Sequence, residues 1–202
     1  ANQGTDSNAI LRRAAALAKN NRARLTVVGV IEELPRDIQK FIVVITPMEL
    51  QKRVIQERQK QLERLVAPIR KEGLRIGVNV LIGTPFLEII RQVLHEQHDL
   101  VITTSEEIKG IRARVFGATS MHLMRKCPCP VWVVKRAQTR PYARILAAVD
   151  PSVYDPKRDS LNPLILQLAG SMARKEAAEL HVVHVWKLFG ERYLRNSGMT
   201  DK

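Results

Sequence analysis

The segment from Ser105 to Lys135 reads SEEIKGIRARVFGATSMHLMRKCPCPVWVVK. Its cationic first part leads into Gly117, and the residues from there to Lys126 have the apolar spacing of a short amphipathic helix. The Cys-Pro-Cys-Pro stretch ends that helix, because proline cannot continue it. The β-branched run from Val131 to Val134 then predicts a buried strand.

Outward from this segment, apolar strands alternate with amphipathic helices. The earlier strands are predicted at residues 25–31, 76–82 and 100–103, and the helices at 8–19, 48–71 and 85–97. We expect Ser7 to cap the first helix and Gly73 to end the long one. This alternation predicts an open, doubly wound α/β fold: a parallel sheet with helices on both faces and right-handed crossovers. Ligands of such sheets bind at the carboxyl ends of the strands.

The pattern restarts after a polar stretch at residues 136–143, which we interpret as a linker. A strand over 144–150 ends in Asp150, a helix follows over 161–175, and a second strand runs over 180–186. The helix–strand unit LILQLAGSMARKEAAELHVVHV is similar to the earlier RRAAALAKNNRARLTVVGV, which indicates an internal repeat. We therefore predict a first domain over residues 1–135 and the start of a second over 144–202.

The composition restricts the partners. The net charge is +13, which favours anionic partners, but the cations are spread over several predicted helices and one loop. With 4% aromatic residues there is no series of rings on which bases could stack, so a solvated basic surface is favoured over a nucleic-acid face. No apolar run suits a bilayer span and no leader pattern opens the sequence, so we predict a cytoplasmic protein without membrane contact.

Three motifs resemble those of the universal stress protein family: the turn GTPFLEII from Gly83, the segment HDLVIT from His98, and CPVWVV from Cys129. The family signature is G-x2-G-x9-G-[S/T], then a helix and a Pro-Val-x-Val-Val strand. The resemblance implies the adenine nucleotide alpha hydrolase-like fold. It also implies a protein with two such domains in tandem. Thr84 is expected to cap the helix that starts at Pro85.

In this family the glycines hold the phosphates of ATP, and a Val at the end of the second strand reads the adenine. The resemblance puts Val30 at the adenine and Gly117 at the last glycine. Thr104 and Glu107 fall on the two earlier glycines, and a carboxylate beside phosphate is repulsive. We therefore expect ATP binding to be weak or lost in the first domain.

The hydroxyl that follows the last glycine in the family is replaced here by Ala118. Thr119 and Ser120 could supply hydroxyls one or two places later, and Gly83 could border the same cleft. The loop cations could attract a phosphate as point charges; they are Lys109, Arg112 and Arg114.

In the second copy, Asp150 matches the family's ribose- or adenine-contacting Asp, and Val185 matches the adenine-reading Val. The equivalent phosphate loop is not in this sequence. ATP is therefore a candidate ligand of that half, while a turn-forming or helix-capping role for Asp150 stays open.

The two copies differ at their starts. The second begins with the strand RILAAVD, whereas no such strand precedes the first helix. A parallel sheet cannot leave a central position empty, because the backbone groups of both neighbours would lack partners. We expect the sequence to be a piece of a longer tandem protein; the alternative is that residues 145–149 fill the vacant position.

Nothing in the sequence indicates catalysis or a resident metal. Residues 95–99 are interpreted as a polar turn, and Cys127 and Cys129 as residues around the helix end. We therefore predict a non-enzymatic stress-response protein that acts by dimerisation or partner binding. As in the family, pairing is expected through the last strand, as a homodimer or between the two domains, using Val131, Trp132, Val133 and Val134. An ATP- or ADP-binding protein and a nucleic-acid-associated protein remain the alternatives.

Overall fold

The computed structural model describes residues 3–33, 46–104, 117–134, 141–151 and 161–186. The chain divides into two compact units, Ala1–Gln138 and Thr139–Lys202.

The first unit alternates helices and strands. In chain order they are α1 (Gln3–Asn20), β1 (Leu25–Ile31), α2 (Pro47–Arg70), β2 (Ile76–Ile82), α3 (Pro85–Glu96), β3 (Val101–Thr104), α4 (Ala118–Lys126) and β4 (Val131–Val134). β1 pairs with β2 in parallel, from Leu25 opposite Ile76 to Ile31 opposite Ile82. β3 pairs with β4 in parallel, from Val101 opposite Val131 to Thr104 opposite Val134. The predicted α/β class with parallel strand pairing is confirmed.

The core of this unit lies where α1 and α2 cover the first strand pair. Leu11 and Ala15 of α1 pack with Val66 and Ile69 of α2 and with Ile76 of β2. Val66 is 0% exposed, so its methyl groups are completely removed from water. α2 also lies close to β1: a Cβ built on Gly29 would be only 2.9 Å from Leu62 Cδ1.

Among the described residues, the two strand pairs are not joined by backbone hydrogen bonds. Helices connect them instead. α1 contacts β1, and its Arg13 guanidinium lies 5.9 Å from the ring centroid of Trp132 on β4. α3 contacts β1 and packs against α4. The two pairs are therefore held in one unit by the helices.

The second unit contains β5 (Arg144–Ala148), α5 (Leu161–Glu176) and β6 (Glu179–Val183). β5 and β6 are parallel neighbours, from Arg144 opposite Glu179 to Ala148 opposite Val183. Within the described residues of this unit, β5 and β6 form a two-stranded parallel sheet, and the alternative that residues 145–149 fill a vacant position in the first sheet stays a prediction.

Of the two N-capping predictions, the one for Ser7 is wrong and the one for Thr84 is confirmed in position only. α1 begins at Gln3, so Ser7 lies inside the helix instead of capping it. Thr84 occupies the N-cap position of α3 but makes no side-chain capping hydrogen bond, while Pro85 follows at the first helical position as expected. α2 ends at Arg70, and Gly73 has a φ of +86° just beyond it, which agrees with the predicted stop.

Candidate functional site

The predicted site residues of the first strand pair lie at its carboxyl end. The amide of Gly83 donates to the carbonyl of Ile31 at 2.9 Å, so Ile31 directs its backbone groups toward β2. Successive residues of a strand alternate in this direction, and Val30 therefore turns its N–H and C=O away from β2. These two groups therefore point to the side of β1 that is opposite β2.

Gly83 lies directly under a carboxylate. Its φ is +137°, and a Cβ built on it would lie 2.8 Å from Oε1 of Glu88. Glu88 is paired with Arg91 in the next turn of α3. The negative charge beside Gly83 opposes a phosphate at this point, although Arg91 partly offsets it. Glu88 was predicted only as part of the GTPFLEII turn motif. Its place in the first turn of α3, shortly after Gly83, was the signal that could have indicated this contact.

The hydroxyl at the start of α4 has a structural partner. Ser120 is 2% exposed, and its Oγ donates to the carbonyl of Thr104 at 3.0 Å. This bond joins the first turn of α4 to the end of β3. Gly117 is buried at the N-cap position without a side-chain capping bond, and Thr119 is half-buried. The Ser120 hydroxyl thus already donates its hydrogen bond to a protein carbonyl.

The segment between β3 and α4 falls outside the described residues. It includes Glu107, Gly110 and the predicted loop cations, which are Lys109, Arg112 and Arg114. Their roles stay predictions.

His122 lies on α4 and contacts α3. Its ring is stacked on Phe86 of α3, with centroids 4.3 Å apart and an interplanar angle of 20°. The ammonium of Lys126 lies 5.2 Å from the Phe86 ring centroid. The side chain of His122 therefore contributes to the α3–α4 contact.

In the second unit, Asp150 follows β5 at the mouth of a recess. Asn162 holds its backbone from both sides: the Asp150 amide donates to Asn162 Oδ1 at 3.0 Å, and Asn162 Nδ2 donates to the Asp150 carbonyl at 2.7 Å. The recess has a volume of about 300 Å³ and is lined by Ala148, Val149, Asp150, Leu161, Asn162 and Ile165. Asn162 was not among the predicted site residues. Its position, as an amide residue at the start of the helix that follows the strand, was the signal that could have indicated it.

Val185 does not lie in a strand, and it is not among the residues that line this recess. β6 ends at Val183, and Val185 follows it with 81% of its surface exposed. His184 Nδ1 is 3.2 Å from the carbonyl of Val149, so the chain just after β6 remains beside the end of β5. The structure thus brings the segment after β6 close to Asp150, but not Val185 into its recess lining.

The two cysteines lie next to each other before β4. Their Sγ atoms are 3.6 Å apart, and burial, together with the hydrogen bond shared with Cys127, raises the pKa of the Cys129 thiol to about 12. Within the described ranges, no three His, Cys, Asp or Glu side chains converge in a way that could hold a metal ion. His95 and Glu96 form an exposed pair at 3.4 Å.

The family profile of the universal stress proteins matches residues 2–135. The chain belongs to the universal stress protein family. Among curated relatives, Universal stress protein E of Escherichia coli strain K12 is 26% identical over 180 residues, covering 88% of this chain and 57% of the relative. Universal stress protein E of Salmonella typhi gives the same values. The chain thus spans little more than half the length of these relatives.

Solved structures show the same fold. A protein of unknown function from Pseudomonas aeruginosa PAO1 superimposes with a TM-score of 0.66 at 22% identity, covering 94% of this chain and 60% of that one. A universal stress protein from Archaeoglobus fulgidus DSM 4304 gives a TM-score of 0.55 at 21% identity, covering 95% and 66%. At these identities the likeness concerns the universal stress fold alone. Separately, none of the helices within the described residues is long and apolar enough to cross a membrane.

Proposed function

We propose that this universal stress protein acts without catalysis, by pairing through the outer edge of β4, and that its first unit does not depend on ATP. The observation that carries the proposal is the direction of the β4 backbone. We further propose that the chain belongs to a protein with two such domains in tandem, of which the first has lost phosphate binding. We also propose that the protein acts in the cytoplasm.

The amide of Val101 donates to the carbonyl of Pro130 at 3.0 Å, so Pro130 faces β3. By the alternation of a strand, Trp132 and Val134 also face β3, whereas Val131 and Val133 direct their N–H and C=O groups outward. Among the described residues, no strand covers this outer edge. An open edge of β-branched residues is a template for pairing with a second strand.

The loss of phosphate binding is supported by two contacts at the carboxyl ends of the strands. The Ser120 hydroxyl is taken by the Thr104 carbonyl, and the Glu88 carboxylate lies against Gly83. Both groups would have to rearrange to accept a phosphate, at the cost of a buried hydrogen bond or of charge repulsion.

Substitution of Val133 by Pro tests the pairing. The change removes an outward-facing N–H and leaves the β3–β4 hydrogen bonds in place, because proline is tolerated on the free side of an edge strand. Val133→Thr is the matched control, since it keeps the N–H and nearly the same side-chain shape. Light scattering after size exclusion should give a dimer mass for the parent and for Val133→Thr, and a monomer mass for Val133→Pro. A monomeric parent, or a dimer that survives Val133→Pro, would refute pairing through this edge.

A second candidate function, adenine nucleotide binding in the second unit, is favoured by the recess beside Asp150. It lies at the carboxyl end of β5, where ligands of parallel sheets bind, and Asn162 fixes the backbone of Asp150 there. Calorimetric titration with ATP and ADP tests it. Binding that is lost in Asp150→Ala and retained in Gly117→Val would support this second function; the absence of heat with both nucleotides would discard it.

A further inference from the structure

The two cysteines between α4 and β4 form a dithiol whose sulfur atoms are in contact. Cys127 and Cys129 are free thiols, and their Sγ atoms lie 3.6 Å apart in a shared hydrogen bond. A disulfide has an S–S distance of about 2.05 Å, so the two sulfurs have to approach each other by about 1.5 Å. Side-chain rotation covers a displacement of this size. The pair is therefore within reach of an intramolecular disulfide.

The backbone is anchored on both sides of the pair. The amide of Cys127 donates to the carbonyl of Leu123 at 2.9 Å, and the Leu123 side chain is 0% exposed. The carbonyl of Pro130 accepts the Val101 amide at 3.0 Å. Pro128, between the two cysteines, has a φ angle fixed by its ring. The fold thus holds the two thiols together between the end of α4 and the first bond of the β3–β4 ladder.

Small reagents can reach this pair. Both cysteines are half-buried, and Pro128 between them is exposed. Arg125 and Lys126 lie in the last turn of α4, directly before Cys127, and both are exposed. Their positive charges attract a reagent that carries carboxylates.

The two thiols have different environments. Burial raises the pKa of Cys129 to about 12, and the contact with Cys127 and the negative charge of Asp99 act in the same direction. Cys129 therefore keeps its proton at neutral pH and is a weak nucleophile. In an exchange reaction Cys127 attacks first, and Cys129 is positioned to attack second.

Two other roles of a close thiol pair fit the structure less well. In the part of the chain that the structure describes, no third His, Cys, Asp or Glu side chain completes a metal-binding group with them, whereas structural zinc takes four protein ligands. A disulfide across a single intervening residue closes too short a loop to stabilise a fold appreciably. Such a bond is labile and suits reversible exchange.

We propose that Cys127 and Cys129 form a redox-active dithiol, which small organic disulfides that carry carboxylates oxidise reversibly to an intramolecular disulfide. The site does not involve the outer edge of β4, so the inference is independent of the proposed pairing function. Disulfides of this kind in reducing compartments are transient and catalytic or redox-sensing.

The reaction takes place in two exchange steps. The Cys127 thiolate attacks one sulfur of the disulfide R–S–S–R, forms the mixed disulfide Cys127–S–S–R, and releases the first thiolate RS⁻. Cys129 then loses its proton to solvent and attacks the Cys127 sulfur, which expels the second RS⁻. The two cysteines are oxidised by two electrons, R–S–S–R is reduced, and the two protons of the dithiol end on the two RSH products.

Mixtures of reduced and oxidised glutathione are the probe, applied to the full chain and followed by a quench with N-ethylmaleimide and peptide mass spectrometry. The peptide of residues 127–135 contains both cysteines. It should lose the mass of two hydrogen atoms as the oxidised fraction rises, and regain it with dithiothreitol. A pair that stays reduced in every mixture, or disulfides that form only between two copies of the chain, would overturn the proposal.

Single variants test the order of attack. Cys129→Ser should stop at one glutathione on Cys127, because the second thiol is missing. Cys127→Ser should react with oxidised glutathione roughly tenfold more slowly, because the remaining thiol is the buried one. Equal rates for the two variants would contradict the assignment of Cys127 as the attacking thiol.

The same chain in urea is the control for proximity, because it has both thiols but no fold that holds them in contact. After addition of excess oxidised glutathione, conversion of the mixed disulfide to the intramolecular one should be roughly tenfold faster in the folded chain. Equal rates would show that the Cys-Pro-Cys sequence alone accounts for ring closure, and the assignment of a folded site would be wrong.

Two disulfides separate the substrate class: oxidised glutathione, which carries carboxylates, and 2-hydroxyethyl disulfide, which is neutral. Arg125→Gln should slow the reaction with oxidised glutathione roughly threefold, as for the loss of one exposed charge, and leave the rate with the neutral disulfide unchanged. Lys60→Gln removes an exposed charge from α2 and should change neither rate. An equal loss with both disulfides, or no loss with either, would overturn the preference for carboxylate-bearing disulfides.

Discussion

Deleting the hydroxyl of Ser120 should destabilise the first unit. Its Oγ is the donor to the Thr104 carbonyl at 3.0 Å, and the side chain is 2% exposed, so water cannot replace it without opening the α4–β3 contact. Leaving a buried acceptor without its donor costs about 1–3 kcal/mol. With a urea m-value of about 2 kcal/mol/M, the unfolding midpoint of Ser120→Ala should fall by about 0.5–1.5 M.

The assay is urea unfolding followed by tryptophan fluorescence in a Trp186→Phe background. The chain has two tryptophans, so this change leaves Trp132 of β4 as a reporter of the first unit. Trp186 is 70% exposed, and its replacement should have little effect on stability. Thr119→Ala is the matched control, because it deletes a neighbouring hydroxyl that is only half-buried.

The outcome separates a structural hydroxyl from a ligand-binding one. We expect Thr119→Ala to stay within about 0.5 kcal/mol of the background. If Ser120→Ala also stays within that range, or if the two variants are equally destabilised, then the bond to Thr104 does not stabilise the protein. The Ser120 hydroxyl would then be available to a phosphate.

Three further outcomes test other parts of the structure. Gly83→Ala should lower the free energy of unfolding in urea by about 1–3 kcal/mol. Adding Glu88→Ala should recover only part of this loss, because it removes the clash but leaves the backbone strain at φ +137°. Iodoacetamide at pH 8 should alkylate Cys127 faster than Cys129 in peptide mass spectra, since the raised pKa of Cys129 leaves little thiolate; equal rates would contradict the burial of Cys129. Leu123→Ala, at a side chain 0% exposed, should cost about 2–5 kcal/mol, and a loss below about 1 kcal/mol would show that α4 does not pack as described.

The strands were the part of the fold that the sequence predicted best. β1, β2 and β4 have the predicted bounds, because β-branched runs bounded by glycine, proline or polar residues suit few other structures. The start of α1 was not predictable in the same way: a serine within a helical pattern looks like a cap, but α1 extends to Gln3. Helix ends depend on a few weak hydrogen bonds, so a local pattern fixes them poorly.

The candidate site was likewise predictable from the sequence only in part. Family motifs indicated where Val30, Gly83 and Ser120 belong along the chain, and the structure places them at the carboxyl ends of strands. The sequence could not show that Ser120 donates to Thr104 or that Glu88 lies over Gly83. The first contact joins residues 16 positions apart, and hydrogen-bond partners across such a separation are set by packing rather than by spacing.

The sequence by itself determined the parallel α/β class and the family, since both follow from local periodicity and short motifs that survive when the ends of helices shift. Only the tertiary structure decided which backbone edges are used. It pairs β5 with β6 and leaves edges of β1 and β3 uncovered among the described residues. The physical reason is that strand pairing is a non-local choice: every strand has two hydrogen-bonding edges, and the packing of the helices on the strands decides which of them find a partner.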